Sequence, residues 1–222
     1  MFKKSTLTFL ENLKENNHKP WFDENRSKYL EARTDFEDFV GNIINEMSEI
    51  DPDLKDLTPK MCMYRINRDI RFSKNKTPYK VNIACSLTRE GKKSIYAGYY
   101  FHLQPGEKSF AGGGLWMPAP PELKKVRQEI DYCFPEFKQI ITDTSFKKTY
   151  KSLERDEGQV LVNIPKGYEK DNPAGEFLRL KSFFVTKQIP DKQLTSNSLS
   201  KDIIHNFTVI MPLIKFINRS FE

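Results

Sequence analysis

Residues 65–80, RINRDIRFSKNKTPYK, concentrate positive charge on a chain that elsewhere mixes its charges. We call this stretch the basic segment. Arginine presents a planar fork that binds carboxylate or phosphate through two hydrogen bonds, and lysine adds a mobile point charge. Crowding such side chains is unfavourable unless an anion lies among them. The basic segment therefore predicts a binding site for an anionic ligand, formed by Arg65, Arg68, Arg71, Lys74, Lys76 and Lys80.

A strand followed by a turn is the predicted structure of the basic segment. Apolar and polar residues alternate over residues 60–72, which is typical of a strand and places Tyr64 and Phe72 on the core side. Residues 73–80 contain turn formers that would project Lys74 and Lys76. Arg68 falls on the apolar side, so we expect either a bulge or a position at the sheet rim with a carboxylate partner.

Three consecutive glycines, Gly112, Gly113 and Gly114, interrupt a second predicted strand just before a helix that opens with prolines. Glycine in a strand marks a bulge or a close backbone approach, and bare amides can bind an anion. The glycines are therefore candidate ligand-binding residues, and tight packing of Trp116 or a neighbouring helix against them is the alternative that the pattern favours. The chain has no phosphate-binding loop of a known glycine-rich type.

Acid–base chemistry has three candidate residues, Asp69, Tyr79 and His102. Asp69 is the one carboxylate of the basic segment, and it could instead orient an arginine. The three histidines lie far apart in sequence and lack the spacing of metal ligands, so we expect neither a metal nor a cofactor. If the protein is an enzyme, the sequence does not decide which of these candidates is catalytic.

Net charge and its distribution bear on the partners. The chain carries +6, and residues 1–59 sum to −5 whereas residues 60–118 sum to +8. This distribution favours an acidic partner for the middle third, unless the acidic first third neutralises it. The aromatic residues between the cations suggest nucleic acid as one such partner, but the predicted alternation leaves few rings exposed for stacking.

The amino terminus lacks a signal-peptide core, and no apolar run approaches the roughly 20 residues of a membrane helix, so we predict a cytoplasmic protein without a membrane partner. Three cysteines without a C-x-x-C pair are typical of buried free thiols. Helices are predicted at 5–17, 23–49 and 118–130, and strands at 81–87, 95–103 and 109–117. The last ninety residues read as short helices with two further strands, at 158–164 and 182–187.

These elements predict one α+β domain over residues 1–222, with an antiparallel, possibly mixed, sheet flanked by amino-terminal and carboxy-terminal helices. The basic segment, together with the stretches GGGLWMPAPPELKKVRQEI, IPKGYEKDNPAGEFLRLKS and MPLIKFINRSF, resembles the family catalogued as domain of unknown function 2461. The resemblance covers nearly the whole chain in the same order and implies one domain. At the position of Asn75 the family commonly has aspartate. The resemblance implies no activity.

Three functions remain open from the sequence. The first is binding of a phosphate-bearing small molecule or polymer at the basic segment, with nucleic acid as a variant. The second is an enzyme that acts on an anionic substrate by the acid–base chemistry of Asp, Tyr or His. The third is a non-catalytic structural or interaction protein, in which the basic segment is a buried network of ion pairs. The oligomeric state is not predicted.

Overall fold

A four-stranded antiparallel sheet with helices before and after it in the chain forms the fold. The computed structural model describes residues 1–156 and 158–222. The strands are β1 (Ile83–Leu87), β2 (Gly98–Leu103), β3 (Ser109–Leu115) and β4 (Phe183–Ile189), and they follow one another across the sheet in chain order. This arrangement confirms the predicted α+β class and its antiparallel sheet. The helices are α1 (Lys4–Glu15), α2 (Lys19–Glu24), α3 (Arg26–Ser48), α4 (Pro59–Cys62), α5 (Pro120–Tyr132), α6 (Phe134–Thr142), α7 (Thr144–Tyr150), α8 (Gly175–Leu178), α9 (Asp191–Leu194) and α10 (Leu199–Arg219).

Two compact units divide the chain. The first unit contains Met1–Lys92, Tyr100–Ala111 and Gln188–His205, and the second contains Lys93–Tyr99, Gly112–Lys187 and Asn206–Glu222. Strands β2, β3 and β4 and helix α10 each contribute residues to both units. The basic segment lies wholly in the first unit, and the three glycines lie in the second.

An aromatic cluster forms the core of the first unit. The ring of Phe2 lies 4.6 Å from that of Phe39 and 6.0 Å from that of Phe101 in β2. Helix α1 is fixed against α3 by Asp35, a buried carboxylate that accepts hydrogen bonds from the backbone N–H of Lys3 at 3.0 Å and from the hydroxyl of Thr6 at 2.5 Å. Because the first N–H groups of a helix lack partners within it, Asp35 satisfies polar groups at the start of α1.

A second aromatic cluster forms the core of the second unit. The ring of Phe137 in α6 lies 5.1 Å from that of Phe177 and 5.4 Å from that of Phe216 in α10. Asn218, which is buried, accepts a hydrogen bond from the Ala97 N–H at 2.7 Å and donates one to the Ala97 carbonyl at 3.2 Å. This side chain therefore satisfies the backbone just before β2 as a neighbouring strand would.

Residues 60–72 do not form the predicted strand. Pro59 begins the short helix α4, a position that proline favours because its missing N–H would have no helical partner there. After α4 the chain makes isolated bridges, one between Met63 and Cys85 and one between Asn67 and Tyr79. The strand predicted at 158–164 is also wrong, since in the described part of the chain these residues form an isolated bridge, from Val160 to Leu180, and no strand.

The other predicted elements are confirmed. Helices α1 and α3 and strands β1, β2 and β3 lie within the stretches that the sequence predicts, apart from the first residue of α1, and β4 extends the strand predicted at 182–187 by two residues. None of the helices in residues 1–156 and 158–222 is both long enough and apolar enough to cross a membrane.

Candidate basic site on a short hairpin

The backbone of the basic segment is a short hairpin that carries a protruding loop. The Arg68 N–H donates to the Pro78 carbonyl at 2.9 Å, and the Lys80 N–H donates to the Ile66 carbonyl at 2.8 Å. These two hydrogen bonds join residues 66–68 to residues 78–80 and leave residues 69–77 as the loop. The predicted change from extended chain to turn is therefore present, but its paired part is much shorter than a full strand.

Tyr79 and Asn17 attach the base of this hairpin to the first unit. The Asn17 side chain accepts a hydrogen bond from the Tyr79 N–H at 3.0 Å and donates one to the Tyr79 carbonyl at 2.9 Å. The Tyr79 ring is buried and stacks on Phe22, with ring centroids 4.0 Å apart. No pattern in the sequence points to Asn17, because it lies far from Tyr79 in the chain. Tyr79 thus has a packing role.

Arg68 holds the loop together. Its guanidinium donates to the carbonyl of Thr77 at 3.1 Å, to the hydroxyl of the same residue, and to the Ser73 hydroxyl at 3.3 Å. The expected carboxylate partner is wrong: the acceptors are neutral oxygens, and the half-buried arginine lies across the loop. Asn75 adds a second local contact, since its side-chain oxygen accepts from the N–H of Thr77 at 2.9 Å. An amide is sufficient for this turn, as is typical of asparagine.

Asp69 and Arg71 form an exposed ion pair with two hydrogen bonds. Arg71 Nε donates to Asp69 Oδ1 at 3.0 Å, and a terminal guanidinium nitrogen donates to Oδ2 at 2.7 Å. These hydrogen bonds lower the pKa of Asp69 and raise that of Arg71. The Arg71 side chain retains 76% of its accessible surface. Asp69 therefore orients Arg71 while most of the Arg71 side chain stays open to solvent.

The remaining cations of the loop project into solvent. Arg65, Lys74 and Lys76 are all exposed, and Lys76 donates to the Ile70 carbonyl at 3.0 Å. Within residues 1–156 and 158–222, the ion pair between Asp69 and Arg71 is the one salt bridge of the basic segment. The acidic first third of the chain thus does not neutralise the segment by direct pairing. The surface around Arg71 is an open cationic loop.

Two aromatic side chains, Phe72 in the basic segment and Tyr64 just before it, are exposed where the alternation predicts burial. Phe72 retains 95% of its accessible surface and Tyr64 retains 37%. Both expectations are wrong because the chain is not a continuous strand here, so alternate residues do not share a face. Phe72 lies beside Arg71, whose guanidinium carbon is 5.9 Å from the ring centroid. Aromatic rings are thus exposed among the cations.

Lys80 lies over the ring of Tyr64, with its Nζ 5.4 Å from the ring centroid. Burial lowers the pKa of Lys80, and the positive charge of Arg65 lowers it further. Among the described residues Lys80 has no ion pair, and two cations therefore influence each other without a carboxylate between them. Such an arrangement becomes more favourable when an anion is added.

His102 in β2 is half-buried between two polar side chains. Its Nδ1 lies 3.3 Å from the Tyr100 hydroxyl, and its Nε2 lies 2.9 Å from the side-chain oxygen of Gln104. Burial lowers the pKa of His102, the hydrogen bond with Gln104 opposes that shift, and the charge of Lys80 adds to it. Both ring nitrogens are thus occupied. The ring also stacks on Phe110 of β3 at 4.8 Å.

The three glycines lie in β3 against the backbone of neighbouring strands. A Cβ on Gly112 would overlap the Val185 carbonyl oxygen of β4, and one on Gly113 would lie 2.5 Å from the Gly98 carbonyl oxygen and 2.7 Å from Ile210 Cδ1. Gly114 has φ +122, a backbone conformation that side chains disfavour. Close packing of strands explains these glycines. Their predicted role in ligand binding stays a prediction.

The cysteines are free. Cys62 and Cys85 are buried, as predicted, whereas Cys133 is partly exposed. Burial raises the pKa of Cys62 to about 11 and raises that of Cys85 as well. A thiol that stays protonated at neutral pH is a weak nucleophile. In the described part of the chain, no cluster of three or more His, Cys, Asp or Glu could hold a metal ion.

A family model, described as a conserved hypothetical protein of domain of unknown function 2461, matches residues 5–216. The chain belongs to this family. The match confirms the resemblance seen in the sequence and spans both compact units of this domain of unknown function 2461 protein. Searches of curated proteins and of solved structures gave no match.

Proposed function

We propose that the protein binds a phosphate-bearing anion at the basic segment. The observation that carries the proposal is the exposure of its cations. Arg71, Lys74 and Lys76 project into solvent around a loop in which Asp69 is the single carboxylate. A buried network of ion pairs would have used these charges within the fold. Exposed cations with so little compensation attract an anion and steer it to the loop.

Different residues of the segment have different parts in this proposal. Arg71, which Asp69 orients, offers a fixed fork to a phosphate, and Lys74 and Lys76 add mobile charges. Arg68 shapes the loop through its hydrogen bonds to neutral oxygens. Because the cations are exposed, we expect binding to weaken strongly as salt increases.

We also propose that the protein is cytoplasmic, because the cytoplasm is a reducing compartment that suits free cysteines.

Several contacts favour binding over acid–base catalysis. The Tyr79 ring is buried against Phe22, the Asp69 carboxylate is paired with Arg71, and both nitrogens of His102 have partners. A general acid donates a proton to substrate and a general base accepts one, so either group must reach the substrate. Each of the three candidates would first have to give up a contact to do so. The enzyme hypothesis predicts turnover that changes in Asp69→Asn, and unchanged turnover would remove Asp69 from any mechanism.

Calorimetric titration with inorganic tripolyphosphate tests the proposal, because this probe carries phosphate charge and no base. The test variant is Lys74→Ala with Lys76→Ala. The matched control is Lys124→Ala with Lys125→Ala, which removes the same charge from two exposed lysines of α5. At low salt we expect the test variant to bind about tenfold more weakly, and the control to bind nearly as the wild type does.

Equal affinities of the two double variants would show that tripolyphosphate responds to net charge alone and would contradict a site at the loop. Affinity that does not change with salt would also contradict the proposal, because exposed charges are screened. Thermal unfolding of both variants checks that the fold is intact, and we expect unchanged melting temperatures.

A further inference from the structure

A row of aromatic rings lies beside the basic segment in the first unit. We call Tyr64, Tyr100, His102 and Phe110 the aromatic face. Tyr64 and Tyr100 have ring centroids 6.3 Å apart, and the ring of Tyr100 lies 5.6 Å from that of Phe110. In β2 the residues Tyr99, Phe101 and Leu103 are buried, whereas Tyr100 and His102 between them are half-buried. The rings therefore lie on the side of the strand that the core does not use.

Two cations border this face. Lys80 lies over the Tyr64 ring at 5.4 Å, and its charge also lowers the pKa of His102. The positive charge of Arg65 acts on both Lys80 and Asp69. Because the Lys80 N–H also donates to the Ile66 carbonyl, the aromatic face adjoins the base of the hairpin that carries the loop. Flat rings next to cations match a ligand that has both bases and phosphates.

We infer that the protein binds single-stranded nucleic acid, with bases stacked on the aromatic face and phosphates on the adjoining cations. This inference rests on the proposed function, since it names the class of anion that the same site takes. Tyr64 is the most exposed ring of the face and Lys80 lies over it, so a base that stacks on Tyr64 displaces the Lys80 ammonium from the ring toward the phosphate of the same nucleotide. The binding is tolerant of sequence, because every base has a flat aromatic surface.

In this inference His102 acts as a stacking ring and not as an acid or a base. His102 is held by Tyr100 and Gln104 through both nitrogens, so its ring is fixed in orientation. A fixed neutral ring suits stacking, since little conformational freedom is lost when a base lies against it. The exposed ring of Phe72 at the loop provides a further stacking position beside Arg71.

An anionic membrane surface would also contact a phenylalanine surrounded by cations, because such a side chain can insert between lipids. The half-buried rings of the aromatic face distinguish the two ligands. Tyr100 and His102 lie in a strand and do not protrude, so they cannot insert into a bilayer, whereas their exposed parts suit contact with a flat base. The contacts thus favour single-stranded nucleic acid, and the membrane becomes one outcome of the test.

Fluorescence anisotropy with a labelled oligothymidylate of about 12 nucleotides tests the inference, since comparable binding modules cover strands of about this length. A duplex of the same length, inorganic polyphosphate of matched charge and phosphatidylserine vesicles are the comparison ligands. The test variant is Tyr64→Leu, which removes the ring. The control variant is Tyr132→Leu, which removes an exposed tyrosine of the second unit.

We expect the single strand to bind more tightly than the duplex or polyphosphate. Tyr64→Leu should weaken binding of the single strand about tenfold, and it should leave polyphosphate binding unchanged. Tyr132→Leu should change neither. If Tyr64→Leu does not fold, Tyr64→Trp provides a second measurement, because a base that stacks on the new indole should quench its fluorescence.

Three results would overturn the inference: equal binding of single strand and duplex, single-strand binding unaffected by Tyr64→Leu, and no quenching in Tyr64→Trp. If polyphosphate still binds and depends on Lys74 and Lys76, the proposed function survives without the inference. If neither the single strand nor polyphosphate binds, the proposed function and the inference both fail. Binding to vesicles that Phe72→Leu abolishes, without binding of the oligonucleotide, would assign the loop to a membrane surface and overturn the inference.

Discussion

The basic segment and the glycines at residues 112–114 differ in what surrounds them. Strand backbones fill the space where a Cβ of Gly112 or Gly113 would lie, so the fold itself requires these glycines. Around the loop of the basic segment, by contrast, Lys74 and Arg71 face solvent and Asp69 is the single carboxylate. Unusual composition thus has two physical origins here. One origin is tight packing, and the other is charge that the fold leaves exposed to solvent.

Gly112→Ala should give the largest loss of stability. Its Cβ would overlap the Val185 carbonyl oxygen, and backbone in a sheet cannot move aside as a flexible side chain can. We expect the free energy of unfolding to fall by about 3 kcal/mol or more, measured by urea denaturation. The control is Gly41→Ala in α3, where the nearest atom to a Cβ is 3.7 Å away and alanine should be neutral or stabilising. Similar stabilities of Gly112→Ala and wild type would break the comparison.

Arg68→Ala tests the arginine of the basic segment whose hydrogen bonds cross the loop and stabilise it. The substitution removes hydrogen bonds to Thr77 and Ser73 from a half-buried side chain, so we expect a loss of about 1–2 kcal/mol in the free energy of unfolding. Arg65→Ala is the control, because Arg65 is exposed and should affect stability little. Equal losses in the two variants would show that charge, and not the contacts across the loop, stabilises the hairpin.

His102 should make stability depend on pH in a modest way. Burial holds its folded pKa below the value of about 6.5 expected for the unfolded chain. The unfolded chain therefore binds more protons, and stability should fall as pH falls from about 6.5 through the folded pKa. His102→Phe keeps a ring against Phe110 and removes the titration. Its melting temperature should fall less than that of the wild type between pH 7 and pH 5; identical pH profiles would exclude His102 as the cause.

Arg71→Ala should have the smallest effect on stability and a clear effect on ligand binding. The pair with Asp69 is exposed, and such pairs contribute little to folding. We expect a nearly unchanged melting temperature and weaker binding of tripolyphosphate. Asp69→Asn loosens the orientation of Arg71 but also removes the single negative charge of the loop; we expect the change in charge to dominate, so this variant should bind tripolyphosphate more tightly. A large drop in the melting temperature of Arg71→Ala would indicate that the segment stabilises the fold and would remove its contrast with Arg68.

Most of the fold could be predicted because its helices and strands are long enough to show their period. Repeated apolar residues identify α1 and α3, and alternation identifies β1 and β2. The same rule failed at residues 60–72. The sequence alternates there, but the chain first forms a short helix that Pro59 begins and then pairs only at single bridges. No local pattern distinguishes a strand from an extended chain with isolated pairs.

The candidate site could be located from its charge but not resolved into roles. The sequence placed Arg68 among the ligand-binding cations, yet its partners Thr77 and Ser73 become neighbours only when the loop closes. Tyr64 is exposed because the predicted strand does not form. The prediction that few rings would be exposed for stacking was therefore wrong as well. Contacts between residues that are distant in sequence, such as Asn17 with Tyr79, leave no trace in composition or spacing.

The contact between Asn17 and Tyr79 also bears on the entropy of the proposed anion binding. Because this amide fixes one end of the hairpin and the Arg68 N–H bond to Pro78 closes it, the backbone of the loop is restrained before any ligand arrives. A ligand then needs to immobilise mainly the side chains of the loop, at roughly 0.5–1.5 kcal/mol for each long side chain. Substitution of Asn17 by alanine would remove no cation, yet we expect it to weaken the proposed anion binding, because the free loop would be less ordered.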